Sequence, residues 1–474
     1  MGASSTGTKD VMIDPSVVTR VLGRALATGG EFAELFAEDR RGSAVALDDG
    51  RIEELSSGRD RGAGVRVVAG NTTGFAHTAD LSEKGLLAAA QAASAAARGG
   101  NGGVREVALE PRSGPVVSPV DVLPAGVAKA RKVEMLQRAD AAARSAGASV
   151  RQVSATYREN RRRILVANSE GVLAGDDQVR VRFGVSVVAS GDTGMQTGGE
   201  SVGATMGFEF FDRNDVEELA TKAARRALSK LDAKPAPSGT MPVVIRCGSG
   251  GVLFHEACGH GLEADHIAKS VSVYTGQVGQ QVASPLVTLV DDGTMSHEWG
   301  ALSIDDEGHP SSRNVLIENG VLTDYMWDWL RARKEGRAGA ANGRRQSYQH
   351  LPMVRMTNTF LMNGTEDPDE IIRQTPHGVY VAQLGGGQVN TATGDFVFGM
   401  TEAYLIEDGR ISHPLRDANL IGNGPQVLRE IDVIGNDFAM GWPGTCGKQG
   451  QGVPVGMGQP TLRVQAMTIG GTAR

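Results

Sequence analysis

The chain has 474 residues, 22% of them charged, and a formal net charge of -7. That length predicts roughly two to four domains, each able to bury its own core. The acidic balance excludes bulk nucleic-acid binding, and the basic clusters Arg161 to Arg163 and Arg344-Arg345 read as solvated faces or local ion pairs. Glycine is abundant at 64 residues, against an ordinary share of about 7%. It lies mostly beside β-rich segments, which predicts many turns and close backbone approaches. Three cysteines, Cys247, Cys258 and Cys446, offer no disulfide framework and fit a reducing, cytoplasmic setting. No apolar run reaches the roughly 18 residues of a membrane span, and no basic-then-apolar leader is present. The opening MGASST loosely matches a myristoylation pattern. It reads as incidental, because no polybasic second anchor follows.

In chain order, Asp14-Pro15 reads as an N-cap followed by proline at the first helical position, with Gly29-Gly30 closing the helix. Four strands follow, FAELFAED, SAVALDD, RIEELSS and GVRVVA, joined by turns such as Asp49-Gly50 and Gly70-Asn71. An alanine-rich helix from about Ser82 to Arg98 completes an N-terminal unit at 14–98. Glycines and four prolines (Pro111, Pro115, Pro119, Pro124) mark 99–125 as a linker or extended crossing. A middle unit at 126–232 has the same order. It runs through a helix from about Val127 to Ser145, strands VRQVSATY, RILVANS and QVRVRFGVSVVAS, and a helix from Asp215 to about Lys230 with Asn214 and Glu217 as a capping box. GVRVVAGNTTG at Gly64 to Gly74 and GVSVVASGDTG at Gly184 to Gly194 match at most positions, as a repeat or convergent hairpin composition would produce.

A second proline-containing break, DAKPAPSGTMP, precedes a mostly β domain at 240–470. Here DGTMSHEWG, RNVLIENGVLTDYM and TEAYLIEDGRISHP read as hairpins, the last two turning at Asn319-Gly320 and Asp408-Gly409, with one clear helix near Tyr325 to Lys334. The expected class is α+β: helix–β-meander–helix units at the N-terminal end, then a mostly β C-terminal domain carrying a metal-binding helix.

That helix holds HEACGHGLEAD, His255 to Asp265. Two imidazoles around a carboxylate form a metal-site pattern, in which a glutamate beside the first histidine works on a bound water. The spacing, however, is H-E-x-x-x-H. At about 100° per residue, His255 and His260 lie roughly 140° apart on a regular helix, too far for one ion. The helix is therefore expected to widen locally to an i+5 pattern or to end early near Gly259. A third ligand must come from Glu263, His266, His297, His309, Cys258, Cys247 or Cys446, since three protein donors are usual. Cys446 is preferred. It sits in the glycine-rich GWPGTCGKQGQG, where a core cysteine has little to pack against, and Lys448 nearby favours a thiolate. Cys258 reads instead as a small core residue.

HEACGHGLEAD, VYTGQVGQQVASPLVTLVDDGTM, RRQSYQHLPMVRMTNT, GGGQVNTATGDF and TCGKQGQGVPVGMGQPTLR together resemble the TldD side of the TldD/PmbA family of metalloproteases, over nearly the whole chain. The resemblance implies zinc held by His255, His260 and Cys446, with Glu256 as general base. It also implies a cytoplasmic bacterial or archaeal peptidase, of endo- or amino-type, that acts on small unfolded peptides or flexible tails. Its partner would be a homologous TldE/PmbA-type subunit lacking the histidine motif, or a second copy of itself. A non-catalytic partner subunit and a metal-dependent amidohydrolase of a small molecule are the alternatives. Tyr348, His350 and Arg344 are candidates for polarising the scissile carbonyl. Gly385, Gly386 and Gly387 are candidates for close approach of a substrate strand, or else form a plain tight turn.

Overall fold

The computed structural model describes residues 12–97, 107–115, 118–192, 194–339, 341–390 and 392–472. MGASST lies outside them, as do 99–106 and 116–117 of the proline-containing crossing at 99–125. The first helix, α1 (Pro15–Ala25), starts as its sequence predicts: the Asp14 carboxylate accepts from the Ser16 N–H and Pro15 occupies the first turn. The four strands expected next are only two. Strand β1 (Phe32–Asp48) and strand β2 (Arg51–Ala69) form one long hairpin, turning at Asp49-Gly50 with φ of 47° and 80°. Gly42 and Gly58, which stand opposite each other in β1 and β2, do not break the strands, because cross-strand pairing continues past them. Strand β3 (Thr72–Thr78) returns along β2, and α2 (Glu83–Ala97) packs behind it.

The middle unit repeats this plan. A short strand β4 (Glu110–Arg112) precedes α3 (Lys129–Ser145). Then come β5 (Val150–Asn168), β6 (Val172–Gly191), β7 (Gly194–Ala204) and α4 (Val216–Ser229). Asp215, rather than Asn214, caps α4 by accepting from the Glu217 N–H, while the Asn214 amide donates to the Phe210 carbonyl. The Asp215 carboxylate is one residue closer to the open N–H groups.

The two units do not stand apart as separate layers. Antiparallel β1–β5 pairing fuses them into one seven-stranded sheet, ordered β3-β2-β1-β5-β6 with β4 and β7 both on β6. Arg41 stands opposite Arg161, offset by the same number of residues as Gly64 and Gly184. A local two-fold axis between β1 and β5 therefore relates the units, which favours the repeat over convergent composition. The same helix contact recurs on both sides. Gly74, opposite Val67, lies against the α2 backbone at Ala93 and Ala97, and Gly198, opposite Val187, lies against α4 at Ala223 and Ala227.

Beyond Lys234 the chain is dominated by strands. Strands His377–Val389, Gly239–Ile245, Leu462–Gly470, Asn419–Asn423 and Asp395–Glu407 pair in that order, and the last pairs back to the first, closing a ring. A second sheet contains Leu289–Asp292, Asn358–Leu361 and the hairpin Gly444–Lys448 with Gln451–Gln459. The turns at Asn319-Gly320 and Asp408-Gly409 join paired strands with left-handed φ, as expected. DGTMSHEWG is not a hairpin: apart from its first residue, Asp292, which ends a strand, the segment is turns and loop. The helix expected from Tyr325 begins at Trp329, with Asp328 as its cap, and short helices Pro368–Arg373 and Gly424–Glu430 are additional.

Buried ion pairs fasten the N-terminal sheet to this β domain. Arg345 pairs with Glu34, Arg162 with Glu38 and Asp306, and Arg66 with Glu34 and Glu307. The close α4 contact supplies a test. In Gly198→Ala the new methyl overlaps the Ala223 carbonyl, so the variant is expected to lose about 2 kcal/mol or more. Gly58→Ala, whose methyl meets nothing within 4 Å, should stay within about 0.5 kcal/mol. Thermal melting of both variants reads the difference, and equal melting temperatures would refute the packing argument.

Candidate metal centre

Helix α5 (Gly251–Ala257) follows Gly239–Ile245 through a turn at Gly248, where φ is +73°. It carries His255 and Glu256. Widening of the helix is not how the spacing problem is solved. The helix stops at Ala257, Cys258 leaves helical geometry at φ -123° and ψ -51°, and a tight 3-10 turn runs from Gly259 to Leu262. The break turns His260 back toward His255, so the ring centroids lie 5.2 Å apart and nearly perpendicular, at 82°. The absence of a side chain at Gly259 leaves room for the Met356 sulfur, which an added Cβ would displace.

Cys446 arrives on a strand, not on the loosely packed loop expected from its glycines. Gly444–Lys448 and Gln451–Gln459 pair across a turn at Gln449-Gly450, with φ of 49° and 76°. Strand alternation sends Cys446 and Lys448 inward and leaves Thr445 and Gly447 exposed. The Cys446 thiol packs with Val453 and Val455. Its Sγ is 3.4 Å from His260 Nε2. One donor atom from each of His255, His260 and Cys446 lies within 4.8 Å of the others, and all three residues are buried.

Glu263 is not a further donor beside them. Its carboxylate stands behind His260, 2.9 Å from Nδ1, and also accepts from Lys448 Nζ at 2.9 Å. Lys448 reaches Asp265 at 2.7 Å and the Val354 carbonyl at 3.1 Å, so its charge is spent on carboxylates and not on the thiol. Burial opposes ionisation of Glu263, but His260 and Lys448 outweigh it and hold the group down at about 2. His260 is correspondingly raised well above its ordinary value: burial works against protonation, and the Glu263 carboxylate and Cys446 outweigh it. For Cys446, burial also opposes ionisation, yet the His255 and His260 imidazoles bring the thiol down to about 4. The thiolate is thus the favoured form.

Both His255 ring nitrogens are buried without a hydrogen-bond partner among the described residues. Such orphaned nitrogens are costly unless something binds them. Two imidazoles and a thiolate form a donor set suited to zinc, and three protein donors leave room for water or substrate. The residues therefore fit a metal. The Glu256 carboxylate, about one-third exposed, lies 3.7 Å from the same His260 Nε2 that faces Cys446.

The other candidates are engaged elsewhere. Cys258 packs in the core beside the Tyr274 hydroxyl, and burial pushes its thiol up to about 12. Half-buried Cys247 is raised by burial and by Asp437. His266 Nδ1 lies 3.0 Å from the His260 carbonyl, His309 pairs with Asp305, and His297 takes a left-handed φ of 65° in the loop after Asp292. Among the described residues, Tyr348, His350 and Arg344 make no hydrogen bond or ion pair with the donor set or Glu256. The buried Tyr348 hydroxyl donates to Asp60, His350 pairs with Ser347, and the Arg344 guanidinium donates to the Met356 carbonyl. Gly385, Gly386 and Gly387 form no tight turn but lie within the strand His377–Val389, where the pairing register shifts between Leu384 and Gly387.

Sequence reasoning did not assign the orienting role of Glu263, although its position three residues after His260 puts it in reach. It missed Arg355 altogether. That fully buried guanidinium donates to the Cys446 and Gln451 carbonyls and steadies the hairpin from behind, and no local spacing announces it.

Three segments match PmbA/TldA metallopeptidase patterns: residues 33–97 match domain 1, residues 123–231 the central domain and residues 238–471 the C-terminal domain. The chain is 40% identical to a metalloprotease TldD homolog of Haemophilus influenzae, covering 93% of each chain. It is 37% identical to a metalloprotease of Methanothermobacter thermautotrophicus, covering 93% of this chain and 96% of that one. TldE from Thermococcus kodakarensis shares the fold with a TM-score of 0.76 at 19% identity, over 96% of this chain and 99% of that one. With patterns matched along most of its length and relatives of this similarity, the chain belongs to the TldD/PmbA family of metallopeptidases.

Proposed function

We propose that this protein is a zinc-dependent protease that hydrolyses peptide bonds in small unfolded peptides or flexible tails. The observation that carries the reading is the convergence of His255, His260 and Cys446 with the Glu256 carboxylate beside them. A bound zinc ion would supply Lewis acidity toward a carbonyl and a more acidic water. In this reading Glu256, 3.7 Å from His260 Nε2, would be the base that takes up a proton and returns it to the leaving amine. Glu263 holds the His260 ring by its Nδ1 edge and leaves Nε2 facing the site.

The strand His377–Val389 offers a place for a peptide backbone. Its first part pairs on both sides, but among the described residues the stretch from Gln383 onward pairs only with Asp395–Glu407. An extended peptide can add along such an edge. At Gly386 an added side chain would meet nothing within 4 Å. The Leu384 N–H donates to Ser249 Oγ at 2.9 Å, just before α5 begins, so this edge is tied to the metal-bearing helix. A homologous TldE-type subunit, or a second copy of the chain, is the proposed partner, supported by the shared fold with TldE. A cytoplasmic location is proposed on the cysteine usage; among the described residues no helix is long and apolar enough to cross a membrane.

Glu256→Gln should lower peptide turnover by about 10²- to 10⁴-fold while the purified protein, with its partner subunit, keeps its metal. Undiminished turnover would sink the assignment. Cys446→Ala should abolish stoichiometric zinc, read by elemental analysis, and full retention would exclude the thiolate as a ligand. Glu263→Gln is expected to keep the donors but weaken zinc affinity by about 10- to 100-fold, measured by competition with a chelating dye. An unchanged affinity would show that the carboxylate does not support the site.

A further inference from the structure

Across the hairpin from the metal donors lies an open cleft of about 560 Å³, lined by the N-terminal sheet, the segment around Arg344 and the hairpin itself. Seven arginines and two glutamates line it, an unusual balance in a chain whose net charge is -7. Arg40, Arg162 and Arg345 are paired with acidic residues of the structural network. Arg158, Arg180, Arg182 and Arg344 are in no ion pair among the described residues. Arg180 donates only to neutral acceptors, the carbonyls of Trp299 and Ala301 and the Gln178 side chain, while Arg182 donates to Ser201 Oγ. Arg180 and Arg344 are both 4% exposed. The two glutamates do not neutralise them: Glu159 is held by Lys132 and Tyr157, and Glu54 accepts from Ser56.

The buried Arg180 and Arg344 guanidinium groups are unfavourable without a counter-charge; Arg182 is half-buried and Arg158 exposed beside them. Burial and neighbouring cations pull Arg180 down to about 9, burial and Arg355 pull Arg344 down to about 10, and burial and Arg158 lower Arg182. Planar forks of this kind recognise carboxylates bidentately. The cavity borders the metal-bearing hairpin on the face opposite Cys446. Thr445, the residue before Cys446, lines it together with its cross-strand neighbour Pro454.

We propose that this cavity is a carboxylate-binding subsite that holds an acidic segment of the peptide substrate beside the metal-bearing hairpin. The inference rests on the protease reading and names the class of peptide preferred. Its size exceeds what one carboxylate needs, and four guanidinium groups spread over β5, β6 and the Arg344 segment match several acidic side chains in a row.

The test uses the metal-loaded protein with its partner subunit. Binding of an acetylated hexaglutamate peptide is measured against hexaglutamine, with inorganic tripolyphosphate as a second anion. Cleavage is followed on two flexible peptides of equal length, one carrying an acidic flank and one a glutamine flank. The expected result is a KM at least ten-fold lower for the acidic-flank peptide at similar kcat, and loss of that difference in the double variant Arg158→Gln, Arg182→Gln. Arg158→Lys, Arg182→Lys should restore part of it if charge is what counts. Equal binding and equal KM for acidic and neutral peptides would overturn the proposal. So would arginine-dependent binding of tripolyphosphate without binding of hexaglutamate, which would make the cavity a site for free phosphate. Arginine-dependent binding of hexaglutamate with neither peptide cleaved would uphold the subsite and reject the protease reading.

Discussion

The Glu263 carboxylate is fully buried, and it joins the two parts of the chain that make the site. Its Oε2 accepts from both His260 Nδ1 and Lys448 Nζ, the latter 185 residues away. A carboxylate taken wholly out of water is stable only when positive groups meet it at short range, and losing one partner of such a buried pair costs roughly 3–5 kcal/mol. The His260 turn and the Cys446 hairpin are therefore not free to drift apart. Because Lys448 and Cys446 face the same side of one strand, the anchor that satisfies Glu263 also delivers the thiol to the imidazoles.

The hairpin is held from its other end as well. Gln346 donates its N–H to Gln451 and accepts from the Gly452 N–H, and Arg355 grips the Cys446 and Gln451 carbonyls. Gln346 adjoins Arg345, which is completely buried and paired with Glu34 on the long N-terminal sheet. A continuous series of buried polar contacts thus runs from the two-fold sheet to the metal donors. Side chains with few alternative arrangements transmit position well, because a shift at any link would leave a buried charge or donor unmatched. In the same region Arg158, Arg180, Arg182 and Arg344 are in no ion pair among the described residues, so the fold combines a closely paired network with a cavity where pairing is incomplete.

Much of the N-terminal architecture was legible from local chemistry. Asp14-Pro15, the turn at Asp49-Gly50 and the alanine-rich second helix appear where their residues place them, because caps, left-handed turn positions and helix propensity act over a few residues. Strand length was not legible. Gly42, Gly58 and the charged runs of β1 and β5 look like breaks, but pairing with neighbours on both sides carries β1 and β5 through them. DGTMSHEWG has the composition of a hairpin and remains loop, since turn residues make a hairpin only where two strands find a sheet to join.

At the site, local sequence determined which groups bring the chemistry. The two histidines, the adjacent glutamate and the cysteine are all visible as residue types with metal-binding and proton-transfer capacity. The spacing of His255 and His260 also demanded that the helix fail near Gly259, which follows from helical geometry alone. Only the tertiary structure decided how it fails, by stopping at Ala257 and turning through a 3-10 segment rather than widening. Only it decided, too, that Glu263 supports His260 from behind and that Lys448 serves carboxylates instead of the thiol. The reason is physical: Glu263 is only three residues from His260, but what holds it there is Lys448, brought across 185 residues and fixed also to the Val354 carbonyl 94 residues away, and short-range spacing carries no record of those distances.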